Sequence, residues 1–207
     1  MTAHSLQASG VTVRFGGRTV LNSVDLTAAA GTITGVTGRS GSGKSTLLRV
    51  LAGLHIPDAG SVRYGGAAVA PRASIALLAQ HPRLVCNPRW TLRQVIAEPA
   101  LIGGREPEVD AVVGRVGLEP ELLGRYPGQV SDGQLQRACL GRVLAQDAAT
   151  VLCDEPTARL DPIATASVVT LLREIADQGA VVVLVSHDPA LIEALTDNAL
   201  ALPRPLG

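Results

Sequence analysis

One eight-residue segment limits what this chain can fold into more than any other part of it. Gly38-Arg39-Ser40-Gly41-Ser42-Gly43-Lys44-Ser45 follows a short β-branched run, Thr32–Val36, and opens into Leu47–Leu54, whose apolar residues keep helical spacing to a stop near Pro57. Strand, glycine-rich loop, lysine and helix in that order satisfy the pattern GxxxxGK[ST], which works only as a strand–loop–helix turn. The glycines let successive backbone N–H groups turn inward around phosphate oxygens, and the helix N-terminus adds partial positive charge. On this pattern Lys44 reaches β- and γ-phosphates, Ser45 binds Mg²⁺ and Thr46 supports the loop. Of 18 basic residues Lys44 alone is lysine, and the other 17 are arginine. A position that keeps lysine against that bias fits a need for a compact ammonium.

A second element complements the first. Val151-Leu152-Cys153-Asp154-Glu155 is an apolar strand ending in two carboxylates, the Walker B arrangement, more than a hundred residues further on. Asp154 is expected to hold Mg²⁺, directly or through water. Glu155, one residue on, is expected to orient and polarise an attacking water. A strand meeting solvent often ends in acidic residues, so the pair gains its meaning from the loop that precedes it. Together the two elements specify only a P-loop NTPase with Mg²⁺, a class that includes kinases and GTPases; ATP follows from the further motifs below.

Composition bounds the rest. At 207 residues and 46% hydrophobic, the chain can bury a core as one domain. With 2% aromatics, that core must be built from Val, Leu, Ile and Ala. A formal net charge of zero gives no electrostatic case for nucleic acid. Cys86, Cys139 and Cys153 are odd in number and widely spaced with no CxxC, which indicates neither a disulfide framework nor a zinc site and fits a reduced cytosolic chain. MTAHSLQASG lacks the basic and apolar regions of a signal peptide, and no stretch approaches the roughly 18 unbroken apolar residues of a membrane span. Any membrane role is therefore expected to be peripheral.

The pattern along the chain predicts an α/β fold: a P-loop core with a mixed, mainly parallel sheet, an N-terminal antiparallel β region and an inserted helical lobe. Leu6–Phe15 and Val20–Leu26 read as strands joined by a Gly16-Gly17 turn, with further strands at Ser61–Tyr64 and Ile75–Ala79. Residues 88–147 change character, with apolar residues at three- and four-residue spacing in Leu92/Val95/Ile96, Val109/Val112/Val113/Val116 and Leu135/Ala138/Cys139/Arg142/Val143. Val151–Cys153 and Val181–Val185 are continuous apolar runs, as for central parallel strands covered on both faces, with a helix Pro162–Ala176 between them. The organisation is thus one domain over 1–207, its α/β core in 1–87 and 148–207 and the helical insertion in 88–147. No internal repeat, heptad pattern or low-complexity tract is present.

Four further motifs resemble the ABC ATPase family. Val130-Ser131-Asp132-Gly133-Gln134 resembles the signature LSGGQ and precedes a helix beginning Leu135-Gln136-Arg137-Ala138; Ser131-x-x-Gln134 is also a capping box. Gln80 is similar to the Q-loop glutamine that senses Mg²⁺ and the γ-phosphate. His187, in Val185-Ser186-His187-Asp188, resembles the switch histidine that contacts the γ-phosphate, and Asp161 resembles the D-loop aspartate of the dimer interface. Phe15 occupies the place of the aromatic that stacks on adenine, although packing explains an aromatic there nearly as well. His4, His55 and His81 receive no role. The resemblance runs from Val11 to about Leu200 with every motif in family order. It implies that Ser131, Gly133 and Gln134 face the γ-phosphate bound by a partner subunit, so that two ATPase subunits sandwich two ATP molecules, each between one P-loop and the opposite signature.

Gln80–Leu101 reads QHPRLVCNPRWTLRQVIAEPAL, and its N-P-R-x-T-x-x-x-x-I-x-E-P segment resembles the peptide and nickel importer branch, where it bears on the coupling helix of a permease. The implied assembly is therefore permease subunits, a second ABC ATPase of the same or a different chain, and a solute-binding protein, with this chain on the cytoplasmic face of the membrane. Three departures stand out. Asp132 replaces the first signature glycine and brings an anion near bound phosphate, which predicts a weaker ATP-bound dimer. Arg159 replaces a small D-loop residue, and, as the sequence runs only a short way past the switch histidine, the C-terminal extension of many relatives is not expected. A soluble ABC ATPase of chromosome work needs long coiled-coil arms, a ribosome-acting one carries two cassettes, and a P-loop kinase leaves Gln80, the signature and His187 unexplained together.

Overall fold

A computed structural model describes residues 5–158 and 160–203. The chain opens with strands β1 (Ser5–Phe15) and β2 (Arg18–Ala29), joined by Gly16 and Gly17. These two glycines have φ of 54° and 84°, and positive φ at both central residues is what a two-residue hairpin turn of type I′ requires. Strand β4 (Ala59–Tyr64) pairs on the other side of β1, giving an antiparallel sheet of order β2-β1-β4.

The second sheet contains β3 (Ile33–Thr37), β5 (Ile75–Leu78), β6 (Thr150–Asp154), β7 (Val181–Val185) and β8 (Asn198–Ala201), in the order β5-β6-β7-β3-β8. Its four pairings are parallel, so antiparallel pairing is confined to the N-terminal sheet. Strand β7 shows why its sequence is apolar throughout. Val181, Val183 and Val185 join a core with the antiparallel sheet and helix α1 (Lys44–Leu51), while Val182 and Leu184 face a second core built with the helices beyond. A strand covered on both faces has no solvent side on which to place polar residues.

Between β5 and β6 the chain is helical. It runs through α2 (Pro82–Val85), α3 (Leu92–Ile102), α4 (Val109–Arg115), two 3₁₀ turns and α5 (Asp132–Gln146). Thr91 starts α3 with a reciprocal capping box to Gln94. Helix α3 packs on α5 through Ile96, which lies 3.5 Å from where a Cβ on Gly141 would stand, and Arg142 of α5 pairs with Glu98 of α3 at 2.8 Å. The chain closes with α6 (Pro162–Asp177), β7, α7 (Pro189–Leu195) and β8.

The sequence pattern predicts no element past Val185. Helix α7 nevertheless carries a local start signal, since Asp188 caps it and Pro189 occupies its first turn. Strand β8 is four residues long and largely exposed, and only its place beside β3 makes it a strand. No helix among the described residues is long and apolar enough to cross a membrane.

Candidate nucleotide-binding site

Parallel strands deliver their C-terminal ends to one edge of the sheet, and the candidate site forms there. Strand β3 ends at Thr37 and the glycine-rich loop follows. Gly43 has φ of 94°, and a Cβ on it would stand 2.8 Å from Leu21 Cδ2 and 3.0 Å from the Val20 carbonyl oxygen. Gly38, at φ 151°, would bring a Cβ to 2.5 Å from Ser42 Oγ. The close approach excludes side chains at both positions. Gly43 caps α1 without a side-chain hydrogen bond, and the first turn contains no acidic residue. The leading N–H groups of α1 therefore retain their capacity for an anion.

Lys44 Nζ donates to the carbonyls of Gly38 at 2.7 Å and Arg39 at 3.1 Å, folding its ammonium back over the loop. Ser42 Oγ is buried and has no hydrogen-bond partner among the described residues. The loop lines a cleft of about 400 Å³, to which Ser40 through Thr46 contribute together with Val20, Gln80, Asp154, Glu155 and His187. Burial is the largest influence on Asp154 and raises its carboxyl above the usual range, against a hydrogen bond from Ser45 and the charges of Lys44 and Arg49.

Glu155 follows β6 directly, with φ of 52°, and is buried. Its N–H donates to the Val185 carbonyl at 2.9 Å, locking the turn to β7. Its Oε2 accepts from Ser186 Oγ at 3.3 Å and lies 2.9 Å from His187 Nδ1. The neighbouring strand end thus supplies both groups that orient the carboxylate. The sequence pattern does not mark Ser186 as a site residue. Its one signal there is its place beside His187, and its hydroxyl also accepts from the Asp188 N–H.

The remaining sequence candidates lie outside the lining of this cleft. Phe15 ends β1 half-exposed, with its ring 5.2 Å from that of His55. Ser131 caps α5, its Oγ accepting from the Gln134 N–H at 3.2 Å while Gln134 Oε1 accepts from the Ser131 N–H at 3.0 Å. Gly133 sits in the first turn of that helix. Asp161 caps α6 through the Ala164 N–H at 2.8 Å, and this bond holds its carboxyl below the usual range. Arg159 falls outside the described residues. Asp132 pairs with Arg83 of α2 at 2.6 Å, a contact that sequence spacing gave no means of finding. Cys86 and Cys139 meet with their sulfurs 3.4 Å apart although 53 residues separate them in the chain.

Among the described residues no group of three or more His, Cys, Asp or Glu side chains could hold a metal by itself. The hydroxyl of Ser45, the carboxylate of Asp154 and the amide of Gln80 form the sparse oxygen set that suits Mg²⁺ completed by phosphate and water. Another hollow of about 310 Å³ lies among Arg115, Val143, Asp147, Val151, Ile175 and Gln178, away from the glycine-rich loop.

The family model described as ABC transporter matches residues 21–158. The chain belongs to the ABC transporter family. This ABC chain is 35% identical to a Brucella abortus protein named for peptide import, over 90% of its own length and 62% of the relative's. It is 36% identical to a methionine import ATP-binding protein of Rhizobium meliloti, over 95% of its own length and 58% of that protein's. It therefore spans about three-fifths of the length of these curated relatives. A bacterial ABC transporter cassette solved as a dimer shares the fold, with a TM-score of 0.85 at 24% identity over 95% of this chain and 94% of that one. The same cassette is also known in a post-hydrolysis state bound to ADP and Pi.

Proposed function

We propose that this chain binds ATP with Mg²⁺ and hydrolyses it as the energising subunit of an ABC importer. One observation carries the reading. The loop around Lys44, the carboxylates of Asp154 and Glu155, Gln80 and His187 converge on one cleft, while Ser131, Gly133 and Gln134 stand outside it. A signature that does not line its own chain's cleft suits a site completed by a second cassette, the same chain or a different one.

In this reading the N–H groups of residues 38–46 and the Lys44 ammonium hold the β- and γ-phosphates, and Phe15 stacks on adenine. Ser45, Asp154 and Gln80 hold Mg²⁺, which when bound neutralises charge that develops on the transferring phosphate. Glu155 accepts a hydrogen bond from the attacking water and draws off its proton, oriented by Ser186. His187 stabilises the γ-phosphate, and Asp161 meets the partner across the interface. Residues 88–147 act as the helical unit that presents the signature. Closure around ATP is coupled to permease subunits at the cytoplasmic face of the membrane, because ATP binds the closed pair better than the open one.

The names of the relatives, given for peptide import and methionine import, support a small solute as cargo; the resemblance of the Gln80–Leu101 segment adds nickel to that class, and a solute-binding protein is the proposed donor. Nucleic acid is not among the partners proposed. The test is to tag the chain, solubilise native membranes gently and assay what copurifies for ATP hydrolysis. Polytopic permeases with Mg²⁺-dependent hydrolysis support the reading, and a complex of soluble proteins alone overturns it.

A further inference from the structure

Asp132 places a carboxylate in the first turn of α5, between Ser131 and Gly133. A carboxylate there favours the helix through its dipole, yet it also lowers the potential that a phosphate approaching Ser131 meets. The structure supplies a counter-charge from elsewhere in the chain. Arg83, in α2, lies three residues beyond Gln80 and engages all three of its guanidinium nitrogens. Nε donates to Asp132 Oδ1 at 2.6 Å, Nη1 to the Pro127 carbonyl at 2.7 Å and Nη2 to the Val130 carbonyl at 2.8 Å.

The three acceptors bracket Ser131 on both sides. A surface ion pair alone contributes little to stability, and both side chains here are 44% exposed. Three hydrogen bonds from one planar, rigid fork do something different, since they fix the turn in a single geometry. Cys86 against Cys139, sulfur to sulfur at 3.4 Å, seats the other end of α2 on the same helix. The short segment after Gln80 is thereby fastened to α5 at two points, one at the signature turn and one further along.

We propose that Arg83 is a positioning residue that compensates the Asp132 carboxylate at the turn Val130–Asp132, so that the signature of this chain engages nucleotide on a second cassette despite that charge. The inference rests on the sandwich reading above. It changes what Asp132 is expected to do: with Arg83 in place the residue is one half of an ion pair, and losing Arg83 weakens that compensation.

The measurement is a double-mutant cycle on the chain purified with whatever second cassette accompanies it. Arg83→Ala, Asp132→Gly, the double variant and Arg83→Lys are compared in two assays. Binding of a fluorescent ATP analogue to the isolated chain reads its own cleft, and ATP-driven association of the cassettes, in a Glu155→Gln background, reads the sandwich. Arg83→Ala should weaken association about tenfold with unchanged analogue affinity, a change of about 1.4 kcal/mol. Asp132→Gly should lose little, and adding it to Arg83→Ala should restore most of what was lost. Arg83→Lys should fall between, keeping the charge without the fork.

Equal impairment of Arg83→Ala and the double variant overturns the proposal, because the contact would then be structural only, and so does unaltered association in Arg83→Ala. If the parent binds the analogue but ATP never drives association, the sandwich reading fails and takes this inference with it.

Discussion

His187 Nδ1 stands 2.9 Å from Glu155 Oε2, linking the residue that follows β6 to a residue just beyond β7. The imidazole is exposed and the carboxylate buried, so the histidine meets solvent while the glutamate is largely shielded. Glu155 is held at φ 52°, a conformation that costs a non-glycine residue on the order of 1 kcal/mol and persists only where the surroundings impose it. Glu155→Gln keeps the shape and removes the base. Turnover is expected to drop about 10²–10⁴-fold with ATP affinity retained, as phosphate release and equilibrium binding will show. Turnover at the parent rate would remove Glu155 from the role proposed for it.

Gly43 tests the loop. Alanine there would have to adopt φ 94° with its Cβ 3.0 Å from a backbone oxygen, so strain arises whatever the side chains do. Gly43→Ala is expected to lose about 1–3 kcal/mol of stability in urea unfolding. Nucleotide affinity should fall further than stability alone explains. Equal affinity in a folded variant would mean that the loop does not need its present path.

Asp197 offers a test of pH dependence away from the cleft. Its carboxylate accepts from the Ile33 N–H at 2.7 Å and from Arg173 at 3.2 Å, joining the start of β3 to the chain before β8. The Ile33 N–H first, and Arg173 after it, hold the Asp197 carboxyl below its usual value of 3.8. A depressed folded value means that the contribution is present above pH 3.8 and is lost as pH falls through the lower, folded value. Asp197→Ala is expected to cost about 1 kcal/mol at pH 7, at the low end for a charged hydrogen bond because the side chain is partly exposed. Unfolding midpoints of parent and variant should converge below pH 4, a window set by the usual carboxyl value of 3.8. A constant gap down to acid pH would mean that packing, rather than charge, accounts for it.

The three cysteines should react in a fixed order. The hydrogen bond from Cys139, with help from Arg142, holds the Cys86 thiol below its usual value, while Cys139 is pushed up by the same contact and by burial. Cys153 is fully buried in β6 and pushed up to about 12. Since the thiolate is the reactive form, iodoacetamide at pH 8 is expected to label Cys86 first and leave Cys153 until the chain unfolds. Early labelling of Cys153 in peptide mass mapping would contradict the packing around β6.

Much of the fold was legible because its signals are local. The β-branched run at Ile33–Val36 and the valines of β7 betray strands by composition, and the paired glycines at 16 and 17 betray a hairpin by the φ they allow. The Ser131–Gln134 capping box needs only four consecutive residues, and the structure forms it. Strand β8 was not legible, because Asn198–Ala201 is short, lacks β-branched residues and is built of helix-favouring alanine and leucine, so that it owes its conformation to pairing with β3.

The sequence by itself determined the parallel-sheet class, the glycine loop and the strand-end carboxylates, since spacing within about ten residues dictates backbone geometry and hence which groups can face a phosphate. Only the tertiary structure decided what compensates Asp132, what orients Glu155 and which cysteines meet. Arg83 and Asp132 are separated by 49 residues, Cys86 and Cys139 by 53, and Ser186 and Glu155 by 31. Contacts at such separations follow from how α2 lies on α5 and how β6 lies beside β7. Those arrangements come from packing summed over whole elements, so no local pattern in the chain encodes them.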